Sequence, residues 1–274
     1  MKFLILPALL IQTVFLMGQS DSTHRKIYSV NHWEAVPPLV LFASSPLIFR
    51  ALEKNAEQSL PEANALNPLS INSLDRAAAY YDPGNFANST KQGELVLTIA
   101  VVSPLILLFD KKMRKDWADL LTILLVTHGV DNALYYTSTA LIRRSRPLTF
   151  NPDVDINEKT GEGKTNSFFS GHTAWAATST FLVAKMYTDY HHIRGINRIL
   201  IYTGASILPA LEGYYRIHAG RHFLTDVATG FLVGAVCGIV IPDLHRIKRK
   251  NDHVSFRPFF MNDANGLSIT YNIK

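Results

Sequence analysis

The sequence predicts an all-α fold, a polytopic membrane helical bundle with a small C-terminal β-hairpin. Hydrophobic residues make up 47% of the 274-residue chain and charged residues 18%. Such totals also occur in soluble proteins, so the distribution decides: the apolar residues fall into blocks separated by charge clusters, as where helices leave a bilayer. Only residues 251–274 change character, from block-like to partly alternating. The formal charge of +5 is modest and gathers at block ends, which suits lipid headgroups rather than nucleic acid. The single cysteine, Cys237, lies inside an apolar block and has no partner for an internal disulfide.

The elements follow in order. Residues 1–20, with Lys2, an apolar run and then Gly18-Gln19-Ser20, read as a secretory signal peptide cut after Ser20. The run is shorter than the roughly 20 residues a span needs, which disfavours a retained anchor. Residues 21–94 form an N-terminal region with two parts. The apolar stretch 36–49 carries Pro37, Pro38 and Pro46 and is expected to re-enter or lie on the surface, because a cleaved signal leaves an odd number of spans to follow. A polar connection then carries Ser73-Leu74-Asp75-Arg76, a short helix start with Ser73 as cap. Residues 95–250 form the helical bundle, with apolar blocks at 95–109, 117–142, 172–187, 199–213 and 223–241. In the second block, His128 and Asp131 are costly in lipid and are expected to hydrogen-bond between helices. Residues 251–274 read as a hairpin turning near Asn262-Asp263-Ala264-Asn265-Gly266.

Basic clusters set the orientation. Lys111 to Lys115, Arg194 with Arg198, and Arg246 to Lys250 share one side if the five blocks alternate. The positive-inside rule makes that side cytoplasmic. Residues 143–171 and 214–222 then face outward, which in a bacterium with two membranes is the periplasm.

Chemistry concentrates on that outer side. His222 and Asp226 are four apart, so a helix beginning near 222 would let the aspartate hold the imidazole and fix its tautomer. Arg143-Arg144-Ser145-Arg146-Pro147 closes one apolar block, and Ser170-Gly171-His172 opens the next. Arginines, a Ser-Gly turn at a helix start and a second histidine can together hold a tetrahedral oxyanion. Arg144 reads as a headgroup anchor, and Glu212 as a residue that orients Arg216.

In order and spacing these pieces resemble the signature of the type-2 phosphatidic-acid phosphatase family: Lys-x6-Arg-Pro, Pro-Ser-Gly-His, and Ser-Arg-x5-His-x3-Asp. The chain supplies Arg146-Pro147, Ser170-Gly171-His172, and Arg216, His222 and Asp226, over roughly residues 95–242. It departs at Thr139, where the family has its lysine, at Phe169 for proline and at Tyr215 for serine. Arg143, one helical turn beyond Thr139, is expected to supply the lost charge.

The resemblance implies hydrolysis without a metal or other cofactor. His222 would be the nucleophile, supported by Asp226, and His172 the general acid and then base. Arg146, Arg216, Arg143, Ser170 and the Gly171 amide would bind the phosphate. The implied substrate is a lipid-linked phosphate monoester or diphosphate, met at the periplasmic face of a bacterial cell membrane. Three other readings stand beside it. His218, His222 and Asp226 form a stripe that could ligate zinc. The related vanadium haloperoxidases share the oxyanion pocket. A chain without the lysine could also be a non-catalytic binder of phospholipid.

Overall fold

The computed structural model describes residues 26–247, 254–261 and 264–271; the expected signal, residues 1–20, lies outside them. Seven principal helices form the bundle: α1 (Val36–Asn55), α2 (Phe86–Val102), α3 (Trp117–Leu141), α4 (Gly171–Tyr190), α5 (Gly195–Ala205), α6 (Ile207–His218) and α7 (Leu224–Leu244). Beyond them, strands β1 (Val254–Met261) and β2 (Ala264–Tyr271) pair antiparallel, Val254 opposite Tyr271 and Met261 opposite Ala264.

Beside an apolar core, many polar groups are turned inward and many large apolar ones outward. Leu39, Leu47, Ile99, Ile199, Leu232 and Val236 are exposed, while Thr127, Asp131, Thr178 and Glu212 are fully buried. Such an inversion suits a lipid surround. Among the described residues three stretches are long and apolar enough to cross a membrane: His32–Asn55, Pro83–Phe109 and Leu224–Leu244. α3 and α4 are long enough but carry Asp119, His128, Asp131, Lys185 and Asp189. Across their interface His128 Nε2 lies 3.1 Å from the Ser179 hydroxyl, and Thr178 donates to Asp131 at 3.1 Å. The interhelical bonding expected of His128 and Asp131 is present.

α4 and α7 approach most closely. A Cβ at Gly230, Gly234 or Gly238 would sit 2.4, 2.2 or 2.8 Å from the carbonyl oxygens of Ser170, Ala174 and Thr178. Only glycine permits that backbone contact, and it holds the start of α4 against the start of α7.

The stretch 36–49 corrects an expectation. It forms an unbroken helix and does not turn back. Pro37 and Pro38 fall in the first turn, where no amide donor is needed, and Pro46 is accommodated inside. Before α1, Ser29 N–H donates to His245 O and the Tyr28 hydroxyl to Asp189; after it, Gln58 N–H donates to Gly161 O. α1 therefore runs from the end of the bundle holding residues 189 and 245 to the opposite end. Following the chain, α2, α3, α4, the α5–α6 pair and α7 traverse the same thickness in alternation.

The polar connection 56–85 folds onto that opposite end in short turns. Its 3-10 helix, Arg76–Tyr80, has Asp75 at its N-cap position, not Ser73. Asp75 and Arg76 part company, the latter donating to Ile71 O.

Candidate active site

The three signature segments meet at the end of the bundle that receives residues 56–85. Leu148 N–H donates to Gly220 O (3.0 Å), and Ser170 N–H to Asp226 O (3.1 Å), joining the first segment to the third and the second to the third. Gly220 has φ +66°, and a Cβ there would press on the Phe86 ring at 2.8 Å. This left-handed residue reverses the chain after α6 and delivers His222 to the start of α7.

His222 is 2% exposed. Its Nδ1 lies 2.7 Å from the Ser167 carbonyl. A carbonyl only accepts, so Nδ1 carries the proton and Nε2 keeps its lone pair. Burial, then the charges of Arg146 and Arg216, holds the imidazole well below its ordinary pKa of 6.5, so it is neutral near pH 7.

Asp226 does not hold this ring, contrary to expectation. α7 begins at Leu224 with Phe223 as N-cap, so residue 222 precedes the helix and the four-residue spacing places nothing on a shared face. The carboxylate turns back to accept from Phe223 N–H (2.8 Å) and the Ser167 hydroxyl (2.6 Å), and pairs with Arg144. Ser167 joins it to His222, its hydroxyl donating to Asp226 and its carbonyl accepting from the ring. Arg144 is likewise no headgroup anchor, since it joins Asp226 to Asp75 and lies 4.4 Å over the Phe223 ring. Asp75 accepts from Thr225 N–H and the Thr225 hydroxyl, capping α7 from a distant loop. Burial would raise the Asp75 pKa, but the hydrogen bonds from Asn72, Thr225 and Arg144 outweigh it and leave the group below its ordinary value.

His172, in the first turn of α4, places Nε2 3.3 Å from Glu94, and Arg216 Nη1 is 3.6 Å from the same oxygen. Glu94 thus bridges the second and third segments. Glu212 is fully buried, with its oxygens unbonded and 3.9 Å from Arg216 Nε. Arg146 donates through Nε to neutral Asn166 (3.0 Å). Burial and the Arg221 guanidinium push its pKa down to about 10, so it stays charged.

Two expected phosphate ligands are placed otherwise. α3 ends at Leu141, so Arg143 does not continue the face of Thr139; it pairs with Glu62 (2.9 Å) and donates to Glu57 O (2.5 Å). The Ser170 hydroxyl is fully buried against Thr173 (2.9 Å). Gly171 lets the Tyr135 ring approach, where a Cβ would lie 2.8 Å away. Both residues border an apolar-walled cavity of about 250 Å³, lined also by Phe49, Leu97, His172 and Trp175. The proposed zinc stripe does not form, because His218 ends α6 stacked on Tyr81 at 4.3 Å, while His222 and Asp226 face the Ser167 loop.

Glu94, Asn166 and Ser167 also shape the site, and none of them belongs to a sequence motif. The polar run 164–167 between two motifs was the available signal.

The PAP2 superfamily model matches residues 95–250, more than half of the chain. The chain belongs to the PAP2 superfamily. It is a phosphoric ester hydrolase of the membrane. Phosphatidylglycerophosphatase B of Bacillus subtilis is 28% identical over 217 residues, 77% of this chain and 97% of that protein. Two solved structures are similar. The first transmembrane PAP2-type phosphatidylglycerolphosphate phosphatase from Bacillus subtilis has TM-score 0.39 and 20% identity, over 76% of this chain and 90% of that one. Aquifex aeolicus LpxE has TM-score 0.38 and 23% identity, over 71% and 92%.

Proposed function

We propose that this PAP2 member dephosphorylates a lipid-linked phosphate through a phosphohistidine at the periplasmic face of a bacterial membrane. One observation carries the reading: a buried, neutral His222 whose Nδ1 proton is committed to the Ser167 carbonyl, leaving Nε2 as nucleophile among Arg146 and Arg216. Nε2 attacks phosphorus and the bond to the substrate oxygen breaks. His172 gives that oxygen a proton. It then takes one from water, which attacks phosphorus, breaks the P–N bond and releases phosphate. Guanidinium groups stabilise the equatorial oxygens as charge shifts. The apolar cavity beside His172 suits the non-phosphate part of a lipid and favours it over a soluble ester.

Six traversals with residues 110–116, 189–198 and 245–246 at one end fit the positive-inside rule with that end cytoplasmic. Residues 26–34 then start on the cytoplasmic side. A cut after Ser20 would leave the new terminus on the other side, so this path favours an uncleaved leader.

The test is phosphate release by purified full-length protein from phosphatidic acid, phosphatidylglycerol phosphate, an isoprenyl diphosphate and lipid A, with and without chelator. Chelator-insensitive release, cut about 10³-fold or more in His222→Ala, is expected. Full release by His222→Ala sinks the mechanism, and tight binding of phosphate lipids without turnover by the wild type supports the non-catalytic reading.

A further inference from the structure

The family lysine is absent at Thr139, and the structure has used Arg143 elsewhere. A different cation stands beside the site. The segments 144–146 and 164–167 run together: Arg144 N–H donates to Thr165 O (2.8 Å), Arg146 N–H to Lys164 O (2.9 Å) and Ser167 N–H to Arg144 O (3.0 Å). This loop touches the site at every step. Asn166 holds Arg146, and Ser167 holds both His222 and Asp226. Lys164 is half-buried, and among the described residues its ammonium has no hydrogen-bond partner or ion pair. Arg221, near enough to Arg146 and Lys164 to act on both, also lacks an ion pair among the described residues.

From this placement we infer that Lys164 is a phosphate-binding residue, supplying from the loop before the second motif the charge that the first motif has lost. Burial, then the charges of Arg221 and Arg146, lower its pKa and outweigh the opposing pull of the Glu158 carboxylate, as three neighbouring cations would. Gathered cations repel one another, and an arriving phosphate relieves that repulsion. A lysine here contributes a point charge with rotatable donors, suited to a non-bridging oxygen not taken by the bidentate arginines.

The inference rests on the proposed phosphatase reading, and the experiment keeps the two apart. Full-length wild type, Lys164→Met, Lys164→Arg and, as control, the exposed site-end Lys91→Met are purified in detergent. kcat/KM for the best lipid phosphate and inhibition by orthovanadate, which mimics the transferring phosphoryl group, are measured, with thermal midpoints to check folding. We expect Lys164→Met to lose about ten-fold or more in kcat/KM and to weaken vanadate inhibition in step, with partial recovery in Lys164→Arg and none of these changes in Lys91→Met. Wild-type kinetics and vanadate inhibition in a folded Lys164→Met overturn the inference while leaving the phosphatase intact. If the wild type turns over no substrate, the phosphatase reading fails, and thermal stabilisation by inorganic phosphate replaces kinetics as the readout. Stabilisation that Lys164→Met abolishes then supports the anion site, and equal stabilisation of both proteins overturns it.

Discussion

Both ends of the bundle carry ion pairs, but the site end also gathers cations that the chain leaves unmatched. At the end holding residues 189 and 245, charges come in pairs: Lys185 with Asp189 (2.8 Å) and Asp243 (2.5 Å), Lys26 with Asp119 (2.7 Å), His191 with Asp110 (2.8 Å) and His245 with Glu34 (2.7 Å). Tyr28 and Tyr190 donate to Asp189 and Asp116 there. At the opposite end Arg143, Arg144 and Arg216 are paired with carboxylates too, but Arg146 reaches only a neutral amide, and Lys164 and Arg221 have no ion-pair partner among the described residues. Ionic groups matched within the chain serve the fold, whereas unmatched ones held together by the fold store a demand for something outside it.

That contrast is open to direct attack. Among the unmatched and matched charges, the largest effect is expected from Arg146→Met, which should cut kcat/KM by about 10²- to 10³-fold. Its thermal midpoint should be unchanged or higher, because a repelled cation is removed; a large destabilisation would show that Arg146 serves the fold. Lys185→Met should do the reverse. Leaving Asp189 without its buried partner should cost roughly 3–5 kcal/mol in chemical denaturation, with kcat little changed in the protein that remains folded.

A subtler distinction comes from pH. The unfolded chain protonates His222 as pH falls below about 6.5, while the folded site resists because its pKa is depressed. Stability is therefore lost as pH drops from there toward the folded pKa, by at most about 1.4 kcal/mol per pH unit. Wild type should lose more stability than His222→Gln between pH 8 and 5.5; equal losses would mean the ring is protonated in the folded state too. The smallest effect belongs to Arg143→Ala. With its guanidinium on Glu62 and the Glu57 carbonyl, its loss should change kcat/KM by less than about two-fold, and a ten-fold fall would restore it to the phosphate site.

Blocks and motifs were legible in the sequence because both are local. Helices α3, α4 and α7 arise where apolar runs predict them, and Arg146, Arg216, His172 and His222 share one end. What escaped depends on where helices begin and stop. A start at Leu224 in place of 222 took Asp226 from the imidazole to the Phe223 amide, and an end at Leu141 took Arg143 from the phosphate to Glu62. Glu94 closes the polar connection in sequence, yet it falls within α2, which begins at Phe86. The prolines of α1 looked like breakers, but two of the three occupy a turn that needs no donors.

The glycines of α7 have a mechanical consequence. Where Gly230, Gly234 and Gly238 meet the carbonyls of α4, no compressible layer of side chains separates the two rods. A squeeze from a crowded, curved or thickened bilayer would then move His222 and His172 as one piece. The spacing between the two imidazoles is thereby insulated from the mechanics of the surrounding lipid.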